Sequence, residues 1–286
     1  MKKFLLLLFS AILLFSMIGC SNEKEALNLL LDATEKSANW ENYDAEIESH
    51  MKIVDPVQGE MDINTFGTGT IFMEPMKFYM NMDVHLSNME EVQHIEQYMV
   101  QETDNIVLYQ NVQGQWYKMN INIDGLGDIM QTDPSEDIQL MMEYTKTAKI
   151  VGEEEIKGSK ARILDLAISM KMYEEIVAKN EALGSMIPMT STEDLGKMLS
   201  ELDDLNYRMW IDKDSGEIVK YSMDLGKMME RLMTKLEIEE MTDEEKEMFK
   251  NMEMTITITI SNHNTAENFE LPEEALNAID MGDSLE

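Results

Sequence analysis

The sequence predicts an α+β fold in which amphipathic helices pack on the concave face of a curved antiparallel sheet of about ten strands. Many segments alternate apolar and polar residues with a period of two, which is typical of strands with one solvated face. A few segments between them repeat their apolar residues at helical spacing. Turn signals join consecutive strand segments, so segments adjacent in the sequence are expected to pair. Strands this numerous tend to curl, and the helices are expected to cover the apolar side.

The first part of the chain has the features of an export signal. Lys2 and Lys3 precede an apolar run over residues 4–15, broken only by Ser10. This run is shorter than the roughly 20 apolar residues that a spanning helix needs, and no second such segment follows. Residues 1–19 are therefore predicted to be a signal peptide that is removed from the mature protein.

Cys20 is the only cysteine of the chain and lies just after the apolar run, behind Gly19. This arrangement resembles the lipobox of bacterial lipoproteins, in which the cysteine is acylated and the leader is cut before it. We therefore expect a single lipoprotein domain over residues 20–286, held on the cell membrane from outside the cytoplasm by acyl chains on Cys20. The alternative is an ordinary secretory leader in which the cysteine is incidental.

The charge of the chain restricts its partners. With 23 basic and 56 acidic side chains, the formal net charge is −33. Such a surface repels phosphate backbones, so nucleic acid is excluded as a partner. It also repels anionic lipid headgroups, so attachment to a membrane must be hydrophobic or covalent.

The elements of the first half follow from periodicity. Asn22 is expected to cap a helix, and Glu25 three residues later completes the capping pattern. The apolar face of this helix carries Leu27, Leu30 and Leu31. From Tyr43 onward the period changes to two. Strands are expected over residues 43–53, 61–72, 78–86, 95–100, 106–109 and 116–123.

The second half mixes helices with strands. Asp133 is expected to cap a helix that begins at Pro134, and the turn at residues 213–216 is expected to join two strands as a hairpin. Further helices are expected over residues 171–183, 192–202 and 227–250, with residues 184–191 as a loop. Strands are expected over residues 149–156, 161–170, 207–211, 218–223 and 255–260.

Three local motifs accompany the lipobox and the amphipathic first helix. They are Gly-Gln-Trp-Tyr-Lys at residues 114–118, Trp-Ile-Asp-Lys-Asp-Ser-Gly at 210–216 and Leu-Pro-Glu-Glu-Ala at 271–275. Together these features resemble the Gram-positive lipoproteins of the DUF6612 family. More distantly, the chain is similar to the LolA/LolB and LppX/LprG lipoprotein-carrier superfamily. That resemblance implies a half-barrel of antiparallel strands, covered by helices, with a pocket for acyl chains.

Methionine is the compositional outlier, with 29 residues. Three uses remain open: filling a solid core, lining a deformable site for an apolar ligand, and binding Cu(I) through thioethers. The alternating pattern around residue 80 predicts one strand face that would line a hydrophobic pocket, together with the isoleucines of the strand at 255–260. The predicted lining residues are Phe78, Met80, Met82, Val84, Leu86, Ile256 and Ile258.

The sequence contains no pattern typical of catalysis or of a metal site. The four histidines are isolated, no serine lies in a nucleophile elbow, and no glycine-rich phosphate loop follows a strand. The acidic runs at residues 153–155, 237–240 and 243–245 lack the alternating ligands of a calcium loop. We therefore expect no enzymatic activity, no metal and no cofactor.

Two functions from different classes are consistent with these observations. In the first, the lipoprotein binds a lipid or another hydrophobic molecule between sheet and helices, for carriage or sensing. In the second, the core is solid, and the protein is a scaffold whose acidic surface contacts another protein of the cell envelope. A lipoprotein that binds cations is a third, weaker alternative.

Overall fold

The computed structural model describes residues 22–55, 59–102, 105–122, 134–172, 174–175, 198, 200, 202, 204–235 and 252–283. Its centre is one sheet of twelve strands. The strands are β1 Asn42–Asp55, β2 Gly59–Phe72, β3 Lys77–Leu86, β4 Gln93–Gln101, β5 Asn105–Val112, β6 Gln115–Asn122, β7 Thr145–Ile156, β8 Ser159–Ile168, β9 Leu205–Asp212, β10 Ile218–Asp224, β11 Glu253–Ser261 and β12 Ile279–Asp283.

Within the described residues, four continuous helical segments accompany the sheet, besides short helical pieces at 171–172 and 174–175. The four are α1 at residues 22–37, α2 at Pro134–Tyr144, α3 at Gly226–Lys235 and the single turn α4 at Glu273–Leu276. None of the helices in the described ranges is long and apolar enough to cross a bilayer. The predicted signal peptide, Cys20, the loop at 184–191 and most of the helices predicted at 171–183 and 192–202 lie outside the described residues. So do residues 236–250 of the helix predicted at 227–250.

The strand order in the sheet is β12-β6-β5-β4-β3-β2-β1-β11-β10-β9-β8-β7. All neighbours are antiparallel except β12, which runs parallel to β6. The outermost strands are β12 and β7, so the curved sheet stays open. The prediction of about ten strands is too low, because β12 was missed: its short sequence contains two aspartates and a glycine, which disfavour strands. Pairing with β6 makes this segment a strand.

We call the face of the sheet that contacts α1 the inner face. The buried residues Ala26, Leu30 and Ala33 of α1 pack against β7–β11, where Leu164 and Ile211 are fully buried. Helices α2 and α3 contact the ends of β8 and β9 on the same side, through Leu140 and Met228. The helices therefore cover the half of the inner face that is formed by the second half of the chain.

The carboxyl-terminal segment packs on the opposite, outer face. Phe269 and Ala275 join a buried cluster with Tyr98 and Trp116, whose ring centroids lie 5.8 Å apart. The Lys77 ammonium lies 4.8 Å from the centre of the Phe269 ring, a cation–π contact. The outer face of β3–β6 is thus covered by the segment that contains the motif at 271–275.

The hairpin between β9 and β10 is closed by a buried aspartate. The carboxylate of Asp212 accepts hydrogen bonds from the backbone N–H groups of Asp214 at 2.9 Å and Ser215 at 2.7 Å. Burial alone would raise the pKa of Asp212, but these hydrogen bonds outweigh it and lower the pKa below its usual value. Gly216 adopts a positive φ of 72°, which closes the turn. The motif at 210–216 therefore has a structural role.

Candidate hydrophobic ligand site

The inner face of strands β1–β6 is uncharged. No inner side chain carries a charge between Tyr43 and Ile53 of β1, or at any described inner position of β2–β6. Residues directly opposite in an antiparallel pair share a face, so the pairing register determines this set. The pairs continue without a shift from β1 to β6. In a chain with a net charge of −33, an uncharged surface six strands wide is the most distinctive feature of the structure.

The five predicted residues of β3 lie together on this inner face. Met82 lies opposite Gly67 of β2 and Ile95 of β4, and Met80 lies opposite Gly69 and Gln97. All five predicted side chains are half-buried: Phe78, Met80, Met82, Val84 and Leu86. The structure thus brings these five residues onto one face of a central strand.

The two predicted isoleucines of β11 lie on the same face but three strands away. Ile258 pairs with Ile47 of β1 and with Tyr221 of β10. It packs against the cluster beneath α1, so it belongs to the covered half of the inner face. Ile256 lies between the two halves, opposite Ser49 and Met223. The structure therefore separates the β11 residues from the β3 residues.

A row of four further apolar residues on this surface was not predicted. Their strands were expected, but which side chains share a face with Met80 depends on pairing register, which the sequence alone does not provide. Phe78 lies opposite Ile71 and Met99, and the same row continues across β5 and β6. The added residues are Ile71, Met99, Leu108 and Met119.

The two halves of the inner face differ in what covers them. Under α1, burial raises the pKa of the Tyr221 phenol to about 12 and also raises the pKa of Tyr43, as expected for a dry interior. In the part of the chain that the structure describes, the clusters beneath α1, α2 and α3 include no side chain from β2–β6. The inner side chains of β3 are half-buried and belong to none of these clusters. The apolar surface of β2–β6 is therefore the candidate site.

Two glycines of β2 give the methionines their space. A Cβ on Gly69 would lie 2.7 Å from the carbonyl oxygen of Tyr79, and a Cβ on Gly67 would lie 2.8 Å from Cγ of Met82. Both distances are below van der Waals contact, so only glycine allows β2 and β3 to approach this closely. Because Gly67 and Gly69 have no side chains, β2 packs closely against β3, and Met80 and Met82 form the inner surface at these positions.

A groove of about 310 Å³ opens on the outer face, across β1–β3. Its carboxylates are partly engaged, since Glu46 pairs with Lys157 at 2.9 Å and Asp83 contacts His94 at 2.5 Å. The groove contains three carboxylates and lies on the opposite side of the sheet from the methionines, so it is not part of the uncharged inner surface. Its lining includes Glu46, Glu48, Phe66, Thr68, Asn81 and Asp83.

Three of the histidines each lie beside one carboxylate, and His94 beside Asp83 is one of them. His50 lies 3.2 Å from Asp62, and His263 lies 3.2 Å from Glu217. No group of three or more histidine, cysteine, aspartate or glutamate side chains in the described ranges could hold a metal ion. The structure therefore brings no candidate metal ligands together there.

Comparison with known proteins identifies the family. The model of a family of unknown function, DUF6612, matches residues 25–280. The chain belongs to this family. The resemblance predicted from the lipobox and the three motifs is thereby confirmed. A comparison with curated proteins gives no match.

Several solved structures are similar to the chain. LprF from Mycobacterium bovis is 11% identical with a TM-score of 0.45, and the similarity covers 88% of this chain and 98% of LprF. The lipoprotein LppX from Mycobacterium tuberculosis is 12% identical with a TM-score of 0.43, over 86% of this chain and 99% of LppX. A putative outer membrane lipoprotein-sorting protein domain from Vibrio parahaemolyticus is 10% identical with a TM-score of 0.24, over 89% and 97%.

The close approach at Gly69 leads to a stability prediction. Replacing Gly69 with Ala forces the new methyl group against the backbone of Tyr79, which cannot move without disturbing the sheet. We expect the free energy of unfolding to fall by about 1–3 kcal/mol, as for an overpacked core, measured by chemical denaturation.

Gly152→Ala is the matched control, because its methyl group would meet only the Cδ1 atom of Ile163 at 3.8 Å. We expect this variant to stay within about 0.5 kcal/mol of the unmodified protein. Equal losses in the two variants would contradict the explanation from close strand approach.

Proposed function

We propose that the protein is an extracytoplasmic lipoprotein that binds a lipid or another hydrophobic molecule on the inner face of β2–β6, for carriage or sensing. One observation carries this proposal: a chain with a net charge of −33 keeps this face entirely free of charge in its described positions. The buried cluster of β3–β6 lies on their outer face, so the charge-free inner face is additional to that core.

The energetics favour hydrocarbon as the occupant. Each methylene transferred from water to an apolar surface contributes about 0.8 kcal/mol, so a single acyl chain provides ample binding energy before ordering costs are subtracted. A charged group beneath the chain would oppose this by losing its hydration. Methionines such as Met80, Met82 and Met99 add a deformable surface that adapts to chains of different shape.

The amino terminus supports a lipid anchor close to the folded body. The side-chain amide of Asn22 donates to the carbonyl oxygen of Ile150 and accepts from its N–H, both at 3.2 Å. Asn22 was expected to cap α1, but its amide instead ties the start of the helix to the edge strand β7. We propose that Cys20, two residues earlier, carries the acyl chains, so that β7 lies near the bilayer and ligand can be exchanged locally.

The scaffold function has one observation in its favour. Three large apolar side chains are exposed at the carboxyl-terminal edge of the sheet: Leu276 at 65%, Ile279 at 49% and Met281 at 59%. An apolar edge of this kind fits contact with another envelope protein. This role would use the β12 edge and would not require ligand on the inner face.

Binding can be tested by placing a charge on one face of β3 at a time. Met82→Glu directs a carboxylate to the inner face, where hydrocarbon would strip it of water, so affinity for an apolar ligand should fall by more than about tenfold. The measurement is a fluorescence titration of the purified protein with diphenylhexatriene, with circular dichroism to establish that the variant is folded.

Asn81→Glu is the matched control, because the adjacent residue points to the exposed outer face. It adds the same charge to the same strand and should leave diphenylhexatriene affinity unchanged. The proposal fails if the unmodified protein does not bind the probe, or if the two variants lose affinity equally.

Anchoring is tested by replacing the predicted lipid acceptor. Cys20→Ser removes the thiol that would form the thioether, so the protein should move from the membrane fraction to the soluble fraction. Its intact mass should also lose the added acyl groups, as measured by mass spectrometry. A variant that remains with the membrane at an unchanged mass would refute the anchor.

A further inference from the structure

Three polar side chains lie side by side on the uncharged inner face of β4–β6. Gln97 of β4 lies directly opposite Gln110 of β5, which in turn lies opposite Tyr117 of β6. Opposed side chains in antiparallel strands lie about 5 Å apart, so the two amides and the phenol form a continuous polar row. All three side chains are half-buried.

Apolar residues flank this polar row on both sides in β4 and β5. On one side, the next inner positions of the same strands are Met99, Leu108 and Met119. On the other side they are Ile95, Val112 and, in β6, the polar Gln115. Successive inner positions are about 7 Å apart along a strand, so a ligand lying along the strands would contact apolar, polar and apolar surface in turn. The order fits a molecule with a polar centre and hydrocarbon on both sides.

The hydrogen-bonding groups of the row are unpaired in the described part of the chain. No hydrogen bond is formed there by the amides of Gln97 and Gln110 or by the hydroxyl of Tyr117. If hydrocarbon covered them without offering hydrogen bonds, each buried polar group would oppose binding. A ligand that covers this row therefore needs oxygen atoms at this position.

The chemistry of the three side chains also indicates whether the ligand's oxygens are neutral or anionic. An amide both donates and accepts, and a phenol does the same, so the row matches ester carbonyls and hydroxyl groups. A phosphate or carboxylate would need a cationic partner to leave water, and the inner face of β1–β6 has none in its described positions. The row therefore favours a neutral polar group over an anionic one.

We propose that Gln97, Gln110 and Tyr117 bind the ester and hydroxyl groups of a neutral lipid of the diacylglycerol class, with its hydrocarbon on the flanking apolar rows. The inference rests on the proposed function and adds the chemical class of the ligand to it. The three side chains act as specificity determinants, whereas the apolar rows provide most of the affinity.

The test compares three probes on the purified protein by native mass spectrometry. They are dioleoylglycerol, the anionic dioleoylphosphatidylglycerol, and squalene, a hydrocarbon without polar groups. The unmodified protein should bind dioleoylglycerol at least about tenfold more tightly than the anionic lipid. In the double variant Gln97→Leu/Gln110→Leu, affinity for dioleoylglycerol should fall about tenfold or more, while affinity for squalene should be unchanged or higher.

Asn81→Leu is the control, because it removes an amide from the exposed outer face of β3, opposite Glu96 of β4. It should leave the preference for dioleoylglycerol unchanged. Unchanged dioleoylglycerol affinity in a folded double variant overturns the inference, as does tighter binding of the anionic lipid by the unmodified protein. Absence of all three probes from the unmodified protein refutes the proposed function itself, so the two failures are distinguishable.

Tyr117→Phe, which removes only a hydroxyl, should lower dioleoylglycerol affinity with little change in folding.

Discussion

The pairing register between β2 and β3 is the constraint on which the candidate site depends. Gly69 lies opposite Met80 and Gly67 opposite Met82, so each methionine of β3 faces a residue without a side chain. Because side chains alternate along a strand, a slip of one residue would turn Asp83 inward and Met82 outward. The same alternation is kept through β4, β5 and β6, which is why the inner face carries no charge in the described strands.

The two halves of the sheet are stabilised from opposite sides. The half formed by β7–β11 is covered on its inner face by α1, through residues such as Leu30. The half formed by β3–β6 is covered on its outer face by the carboxyl-terminal segment, through Phe269 and the cluster around Tyr98. This second core gives strands β3–β6 a buried cluster on the face opposite the candidate site.

Periodicity predicts much of this architecture but not its pairing. The alternation around Met80 is sufficient to assign one face of β3, and the turn at 213–216 is sufficient to predict the β9–β10 hairpin. The row of Met99, Leu108 and Met119 could not be assigned, because nothing within those strands specifies which neighbour they pair with. Segment β12 could not be predicted either, since its parallel pairing with β6 joins residues that are distant in the sequence. Its local sequence gives no strand signal.

The polar row was missed for the same reason. Gln97, Gln110 and Tyr117 belong to three separate strand segments, and each alone looks like a residue on a solvated face. Only the register of β4, β5 and β6 places them side by side on the apolar surface. Ile258 was assigned to the ligand surface because the alternating pattern of β11 identifies its inner face correctly. The pattern does not show that α1 covers this half of the face, because helix packing is a tertiary feature.

The most direct test of the account is photochemical labelling by a lipid that carries a diazirine within its acyl chain. The purified protein would be irradiated with the bound probe, and the labelled residues would be identified by peptide mass spectrometry. Ligand binding on the inner face predicts labels on residues of β3–β5, above all Met80, Met82, Met99 and Leu108. Labelling confined to the outer face, or to the exposed edge at Ile279 and Met281, would contradict it.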